Sequence, residues 1–420
     1  MLYAEQKSAH EDCPLERPRW EVADIFRTYG KAYRQAYPMP PSHLKVMHAV
    51  MVCRTGYLGG HIEECDSCGF ERNAYNSCGN RHCPKCQALV KAKWLKERTA
   101  ELLPVEYFHN VFTLPHELNP IVLCNKRVVF DILFQSVSET LLEFGRNPDN
   151  GLGGKLGFIA ILHTWSQILF DHFHLHCVIP AGALSLDETC WLSGRKDFLF
   201  PVKALSKVFR GKFTCLLKKA YEKKELLFPG NTETLGAQKE FSRLVEELKE
   251  KDWVVYSKKP FAGPKKVLDY LGRYTHRVAI SNHRIVAVEN GRVSFQYRDR
   301  KDKDTIKIMT IEAIEFIRRF LLHVIPDGFM RIRHYGFLAN RCKNQALSRL
   351  RIVFGLAEES REQEPVEKTL QELMLELTGI NINKCPKCNQ GIIRVITELP
   401  VPSPESWKDF QNALEVLDSS

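Results

Sequence analysis

The sequence predicts an α+β fold in which helices pack on one face of a sheet, after a small N-terminal cysteine-rich module. The first observation behind this prediction is the order of patterned segments after Pro104, which runs strand, helix, loop, strand, polar segment and strand. This order is typical of a sheet with helices on one face. The second observation is a pair of Cys-x-x-Cys motifs near the N-terminus, which is typical of small metal-stabilised domains. A chain of 420 residues is long enough to contain both units.

Composition and charge place the chain among globular proteins that bind a polyanion. Hydrophobic residues make up 44% of the chain and charged residues 26%, which is ordinary for a soluble protein. Residues 355–420 contain six Lys and Arg against twelve Asp and Glu, so the preceding 354 residues carry a net charge of +16. A basic body favours nucleic acid as the partner. The absence of a long apolar run and of a signal-peptide pattern predicts a cytoplasmic protein with no membrane partner.

Hydrophobic periodicity predicts most of the remaining elements in chain order. Asn290-Gly291 between two alternating runs predicts a β-hairpin, and a second hairpin is expected over Gly182–Arg195. A strand is expected at Tyr107–Leu114, and Ser42 is the expected N-cap of the second helix. The predicted helices are Trp20–Tyr29, His43–Arg54, Pro84–Leu102, Asn119–Phe144, Leu205–Glu225, Gln238–Asp252, Thr310–Val324 and the acidic Ala357–Thr378.

The cysteine-rich module predicts a structural zinc site. Two Cys-x-x-Cys motifs separated by fourteen residues can place four thiolates tetrahedrally around one Zn²⁺. The expected ligands are Cys65, Cys68, Cys83 and Cys86. Three nearby residues either complete a second zinc site or surround the first, and these are His61, Cys78 and His82. The basic side chains Arg81 and Lys85, beside the second motif, are expected to contact DNA.

Histidines on a predicted strand indicate a second kind of metal site. Gly157–Leu162 and Leu175–Pro180 resemble short strands, and His172, His174 and His176 alternate with apolar residues. Successive side chains of a strand point to opposite faces, so the three imidazoles are expected on one face. A pair separated by one residue can hold a divalent cation from a rigid strand. The alternative interpretation is a polar edge strand whose histidines face water.

A third polar ligand would leave metal positions for phosphate oxygen and water. Gln167 is the preferred third ligand, and His172 and His163 are the alternatives. Mg²⁺ or Mn²⁺ suits the oxygen-rich coordination of a phosphate substrate, although imidazole ligands favour Mn²⁺.

Two tyrosines follow a helix-start signal at Gly263-Pro264. Tyr270 and Tyr274 are four residues apart, which stacks both phenols on one face of a helix. The alternative is an aromatic core stripe, but the pair has basic neighbours, including Lys266, Arg273 and Arg277. A tyrosine hydroxyl can attack a DNA phosphodiester to form a 5′-phosphotyrosine, with the metal ion polarising the phosphate.

Five motifs, in one order, carry a resemblance to a known family. They are Tyr75–Gln87, Phe112–Leu118, His163–Gln167, His172–Pro180 and Tyr270–Asn282. Together they span about residues 40 to 350 and resemble rolling-circle insertion-sequence transposases of the IS91 type, two-tyrosine members of the HUH endonuclease superfamily. The resemblance implies a ferredoxin-like antiparallel HUH sheet, metal binding by His174 and His176, and Tyr270 and Tyr274 as nucleophiles. It also implies single-stranded DNA at the transposon ends, and a target DNA, as partners.

The expected organisation has four parts. Residues 1–40 form a helical arm, 41–103 a zinc-binding and DNA-binding domain, 104–354 the HUH-type catalytic domain, and 355–420 an acidic tail. The tail contains the lone motif Cys385-Pro-Lys-Cys388, half of a zinc site that needs two more ligands. The oligomeric state is left open.

The expected function is rolling-circle-type transposition by metal-dependent nicking and strand transfer. Three other functions use the same features. A plasmid or phage replication initiator would nick an origin by the same chemistry. A zinc-dependent nucleic-acid-binding regulator would not need the tyrosines. A metallohydrolase would hold zinc on His172, His174 and His176 and use water as its nucleophile.

Overall fold

The computed structural model describes residues 18–99, 101–149, 151–195, 197–261, 272, 278–299, 302–356, 372, 375 and 381–403. The helices are α1 (Val22–Ala36), α2 (Pro41–Val52), α3 (Gln87–Thr99), α4 (Asn119–Cys124), α5 (Lys126–Arg146), α6 (Val202–Glu222), α7 (Gln238–Glu250), α8 (Ala313–Leu322) and α9 (Lys343–Val353). Short 3-10 helices lie at Gly56–Leu58, His116–Leu118, Gly230–Gly236 and Asn282–Arg284. Within the described parts of the chain, no helix is both long and apolar enough to cross a bilayer.

The strands form four antiparallel sheets within the described residues. They are β1 (Gly60–Cys65), β2 (Glu71–Tyr75), β3 (Tyr107–Thr113), β4 (Gly157–Trp165), β5 (Asp171–Pro180), β6 (Gly182–Leu184), β7 (Trp191–Ser193), β8 (Val255–Phe261), β9 (Ile285–Glu289), β10 (Arg292–Asp299), β11 (Thr305–Glu312), β12 (Ile332–Gly336) and β13 (Ile393–Leu399). The largest sheet has the order β12-β4-β5-β3-β8, and the others are β13-β1-β2, β11-β10-β9 and β6-β7.

The five-stranded sheet buries one face under helices, as the sequence predicts. In β5, Phe173, Leu175, Cys177 and Ile179 point into the main hydrophobic core, which also contains the inner faces of α5, α6 and α7. Aromatic rings fill the interface, with Phe112 5.3 Å from Phe209 and Phe130 5.7 Å from Phe173 between ring centroids. The period-two alternation of β5 leaves its histidines on the opposite face. The predicted α+β class with an antiparallel sheet is confirmed, but helix α9 also packs on the opposite face, where Leu347 and Leu350 lie in one cluster with Ile161.

A second hydrophobic core joins the N-terminal helices to residues 279–324. Phe26 of α1 contacts Phe320 of α8 in a T-shaped pair with centroids 5.4 Å apart. The backbone N–H of Val22 donates to the side-chain oxygen of Asn282 at 3.1 Å. The same core includes three buried cysteines of the zinc-binding region, Cys53, Cys83 and Cys86. This packing therefore runs across the predicted boundaries at residues 40 and 103.

Three element predictions differ from the structure for local reasons. The predicted helix Asn119–Phe144 is two helices, because the Asn125 side chain interrupts it and bonds the backbone of Leu227 at 2.7 and 2.8 Å. The predicted helix Thr310–Val324 begins as strand β11, which pairs with β10 through Glu312. The second helix begins at Pro41, with Pro40 rather than Ser42 as N-cap, since proline suits the first helical position. Ala357–Thr378 lies outside the described residues, apart from Glu372 and Leu375.

Candidate metal centres

Three histidines converge on the face of the central sheet that lies opposite the main hydrophobic core. His163 comes from β4, and His174 and His176 from β5; their candidate ligand atoms all lie within 4.8 Å of one another. Strand register causes this convergence, because His163 pairs directly with His174, and Ile161 with His176. All three side chains are buried, with exposed fractions of 5 to 7%. The sheet therefore presents a rigid cluster of three imidazoles.

Hydrogen bonds orient the two β5 imidazoles toward each other. Nδ1 of His174 lies 2.8 Å from the carbonyl oxygen of His172. A carbonyl only accepts, so Nδ1 carries a proton, and in the neutral imidazole the lone pair is then on Nε2. The Nε2 atoms of His174 and His176 are 3.1 Å apart. Two ligands about 2.1 Å from one ion, at a right angle, would be about 3.0 Å apart, so this pair fits a divalent cation.

His109 of β3 holds the other side of the His176 ring. Its Nε2 lies 2.7 Å from Nδ1 of His176, and the two rings stack with centroids 5.0 Å apart. Burial and, to a smaller extent, the charge of the neighbouring Lys258 lower the pKa of His109 to about 3. His109 is therefore neutral near pH 7. A neutral imidazole can accept the Nδ1 proton of His176, which frees Nε2 of His176 for a metal ion.

Three side chains from residues 284–323 hold the turn that joins the two histidine strands. Successive carbonyl oxygens of this turn accept hydrogen bonds: Gln167 from Arg284, Ile168 from Arg319 at 3.2 Å, and Leu169 from His323 at 3.0 Å. Leu169 has a φ of 62°, a conformation disfavoured for leucine. Three separate anchors on one five-residue turn fix the separation of His163 from His174.

The cysteines form two clusters of four. The first contains Cys53, which follows α2, with Cys78, Cys83 and Cys86 before α3. The sulfur of Cys86 lies 3.4 Å from that of Cys53 and 3.6 Å from that of Cys78. Tetrahedral zinc with Zn–S bonds of about 2.3 Å separates sulfurs by about 3.8 Å. The second cluster contains Cys65, Cys68, Cys385 and Cys388.

Comparisons with known proteins identify the family and its zinc-binding domain. A family model described as "Transposase zinc-binding domain" matches residues 25–114, and one described as "Putative transposase" matches residues 157–346. The "Putative transposase y4qJ" of Sinorhizobium fredii is 48% identical over 372 residues, covering 88% of this chain and 93% of that protein. The chain belongs to the IS91-type transposases.

A second relative of this IS91-type transposase is more distant. The "Transposase for insertion sequence element IS801" of Pseudomonas savastanoi pv. phaseolicola is 27% identical over 307 residues, covering 72% of this chain and 71% of the relative. No solved structure matches the chain. Membership of the IS91-type transposases supports an enzyme whose partner is DNA, and the zinc-binding domain with its cysteine clusters supports structural zinc.

In this transposase the predicted zinc tetrad is divided between two clusters, which corrects the sequence prediction. Cys65 and Cys68 lie with Cys385 and Cys388, whereas Cys83 and Cys86 lie with Cys53 and Cys78. The hairpin of β1 and β2 separates the two motifs in space. Cys53 and Cys78 belong to no Cys-x-x-Cys motif, so spacing could not identify them as a pair.

Of the three additional candidates in the zinc-binding domain, only Cys78 joins a cluster. His61 places Nε2 3.1 Å from a carboxylate oxygen of Glu63. His82 is half-buried, and desolvation, together with the charge of Arg331, lowers its pKa to about 3. His82 also lines a small cavity with Thr164 and His323. His61 and His82 therefore contact other side chains of the protein and lie outside the two cysteine clusters.

The candidate third metal ligands occupy different places. His163 lies with His174 and His176 in the buried group. His172 shares their face, with its ring centroid 4.5 Å from that of His174, but its side chain is exposed. Gln167 lies in the β4–β5 turn, where its backbone carbonyl accepts from Arg284. Period-two alternation can predict the β5 histidines, and the sequence offered His163 only as an alternative ligand. Placing His163 with them, and finding His109 and His323 at all, requires knowing which strands and helices are neighbours.

The predicted nucleophiles and several basic residues lie outside the described residues: Tyr270, Tyr274, Lys266, Arg273 and Arg277. Gly272, between the tyrosines, is described and lies against α3. A Cβ atom on Gly272 would be 3.0 Å from Cδ1 of Leu95 and 3.2 Å from Cε of Lys91. After this segment, Val278 lines a small cavity together with Leu162 of β4. The chain therefore leaves the segment beside the strand that carries His163.

The basic residues predicted to contact DNA within the zinc-binding domain bind other parts of the protein. Arg81 donates to the carbonyl oxygen of Phe329 at 2.6 Å. Lys85 donates to a carboxylate oxygen of Glu21 at 2.7 Å. Both contacts join the zinc-binding domain to neighbouring elements.

Proposed function

We propose that this transposase nicks and rejoins single-stranded DNA at the ends of its element through tyrosine–DNA intermediates, in rolling-circle-type transposition. The observation that carries the proposal is the convergence of His163, His174 and His176 within 4.8 Å on the central sheet. Family membership supplies the transposition, and the histidine cluster supplies a place for a catalytic divalent cation.

Three imidazoles, which bind metal ions in their neutral form, fit a cation that also binds phosphate oxygens. His163, His174 and His176 are buried together, and such nitrogen ligands suit Mn²⁺ better than Mg²⁺, although either ion can bind phosphate. When bound, the ion polarises the scissile phosphate as a Lewis acid. The ligands contribute no charge of their own. A phosphodiester oxygen is therefore the natural negative ligand for the remaining positions.

Tyr270 and Tyr274 are the proposed nucleophiles. The tyrosine oxygen attacks phosphorus as its proton is lost to solvent, the bond from phosphorus to the 3′ oxygen breaks, and the 3′ oxygen takes a proton from solvent and leaves as a hydroxyl. A free tyrosine has a pKa of about 10, so its proton must be removed during the attack near neutral pH. With two tyrosines, one can hold the first 5′ end while the other makes the second cut or transfers the strand to target DNA.

We further propose that the first cysteine cluster holds a structural zinc ion. Cys53, Cys78, Cys83 and Cys86 join the end of α2 to the start of α3. The cluster adjoins the hydrophobic core that α1 and α8 share. α8 precedes His323, which holds the metal-site turn. Zinc here would stabilise the elements that support the histidine site.

The experiment incubates the full chain with end-labelled single-stranded DNA from its element ends and with Mg²⁺ or Mn²⁺. We expect a covalent protein–DNA adduct on a denaturing gel, which disappears with EDTA and in the Tyr270→Phe/Tyr274→Phe variant. Tyr256→Phe is the matched control, because Tyr256 is exposed on β8. It should form the adduct normally.

The other outcomes identify the competing functions. Cleavage without an adduct would indicate a water nucleophile and reject the tyrosine mechanism. Binding without cleavage on every end would indicate a regulator. Adduct formation without transfer of the cut strand to target DNA would favour a replication initiator.

A further inference from the structure

We infer that Cys65, Cys68, Cys385 and Cys388 form a second structural zinc site, which fixes residues 381–403 to the N-terminal zinc-binding domain. The family match to that domain ends at residue 114, and the other match ends at residue 346. Two of the four ligands therefore lie beyond both matches. The site is closed by two motifs separated by more than 300 residues of chain.

The sulfur geometry is that of a shared tetrahedral ion. Sγ of Cys65 lies 3.7 Å from Sγ of Cys388, and Sγ of Cys68 lies 3.7 Å from Sγ of Cys385. Four thiolates on zinc, with bonds of about 2.3 Å, would be about 3.8 Å apart. A disulfide would need sulfurs about 2.05 Å apart. Each motif thus contributes two ligands to one centre.

The two motifs have the same backbone conformation, which is a second and independent observation. In the first, the N–H of Gly69 donates to the carbonyl of Cys65 at 3.0 Å; in the second, the N–H of Asn389 donates to that of Cys385, also at 3.0 Å. Gly69 and Asn389 occupy equivalent positions and both have a positive φ, 62° and 54°. Glycine and asparagine are the residues that best tolerate this conformation.

Backbone amides also point at the sulfurs, as they do around metal-bound thiolates. The N–H of Ser67 donates to Sγ of Cys65 at 3.5 Å, and the N–H of Gly391 donates to Sγ of Cys388 at 3.3 Å. A Cβ on Gly391 would lie within 3 Å of Cys65 Sγ, so only glycine permits the approach.

Hydrogen bonds and strand pairing join the two motifs. The N–H of Asp66 donates to the carbonyl of Ile392 at 3.1 Å, and the N–H of Ile392 donates to the Asp66 side chain at 2.8 Å. β13 then pairs antiparallel with β1, from Gly60 opposite Leu399 to Cys65 opposite Ile393. The C-terminal segment is therefore a strand of the zinc-binding domain.

Hydrophobic burial alone is too small to hold this strand. The local core has three buried residues, Cys65, Cys385 and Ile393, with Phe70 and Cys388 packed against them. Most side chains of β13 are exposed. Small domains with so little core depend on a metal ion or disulfides for stability, so the sulfur centre is what stabilises the attachment.

The test is the zinc content of the purified full chain, measured by mass spectrometry and by zinc release with a thiol reagent. We expect two zinc ions per chain, and one in Cys385→Ser/Cys388→Ser. Cys65→Ser/Cys68→Ser should lose the same ion, and the quadruple variant should lose no more than either pair. Cys190→Ser/Cys215→Ser is the matched control, since both thiols are exposed and outside the clusters; it should keep both ions.

Amide hydrogen exchange gives a second readout. In Cys385→Ser/Cys388→Ser, exchange should become faster in both β1 and β13 and stay unchanged in β4 and β5. Retention of two zinc ions by this variant would overturn the inference, and so would loss of two ions by the quadruple variant. If Cys65→Ser/Cys68→Ser does not fold, the C-terminal pair and its exchange pattern still decide. Neither readout requires DNA cleavage, so this inference and the tyrosine mechanism can fail separately.

Discussion

The Nε2 atoms of His174 and His176 lie 3.1 Å apart on one strand, each ring oriented by a different neighbour. The carbonyl of His172 fixes the first ring and His109 fixes the second. This arrangement separates residues that would bind a metal ion from residues that only position the ligands. The two groups should respond differently to mutation.

Removal of a proposed metal ligand should strongly impair DNA cleavage. We expect His163→Ala to lower the rate of adduct formation by about 100-fold or more. Loss of a residue that only supports a metal ligand typically costs about 10- to 100-fold, so loss of a ligand should cost at least the upper end of that range. His172→Ala is the control, because its exposed ring lies outside the buried group and its carbonyl remains. Single-turnover adduct formation in saturating Mn²⁺ measures the effect. An equal loss in both variants would reject His163 as the third ligand.

Loss of His109 should weaken metal binding more than catalysis. We expect His109→Ala to raise the Mn²⁺ concentration needed for half-maximal cleavage by about 10- to 100-fold, while the rate at saturating Mn²⁺ recovers most of its value. His109→Gln should retain part of the affinity, since its amide can still accept or donate a hydrogen bond. His116→Ala, at an exposed position, is the control. A rate defect that Mn²⁺ cannot rescue would contradict a positioning role.

Sequence patterns predicted the strand face that carries the histidine cluster but not its surroundings. His174 and His176 follow from the two-residue period of a strand, which acts over neighbouring residues. His163 becomes a partner only through the register of β4 against β5. Cys53 pairs with Cys86 across 33 residues, and Cys65 with Cys388 across 323. Such contacts depend on tertiary packing, which no local spacing encodes.

His323 should stabilise the protein by holding the metal-site turn. Its Nε2 donates to the carbonyl of Leu169 at 3.0 Å, and its Nδ1 lies 3.4 Å from the hydroxyl of Thr164. His323→Leu leaves both buried groups without this partner, which should cost about 1–3 kcal/mol. Urea unfolding at pH 7.5 measures the loss. His283→Leu, at an exposed position, should change stability by less than about 0.5 kcal/mol.

The same histidine should make stability depend on pH. Burial lowers the pKa of His323 to about 3, from 6.5. Between these values the unfolded chain binds a proton and the folded chain does not, so stability falls as pH decreases from 6.5 toward 3. Lowering the pH from 6.5 to 4.5 should cost about 2 kcal/mol through this group. Over the same pH interval, the free energy of unfolding of His323→Leu should fall by about 2 kcal/mol less than that of the parent chain. An equal dependence of stability on pH in the two proteins would contradict the assignment.

Gly272 should be a sensitive contact between α3 and the segment that contains both tyrosines. A Cβ there would already be 3.0 Å from Leu95, so the two branches of valine force the surfaces apart. A displacement approaching 1 Å at a catalytic group costs up to about 100-fold, and we expect Gly272→Val to reduce adduct formation by about 10- to 100-fold. Zinc content should stay unchanged. Leu95→Ala in the same chain removes the clashing methyl groups and should restore part of the activity. Normal activity of Gly272→Val, or a double variant no better than the single one, would show that this contact does not position the nucleophiles.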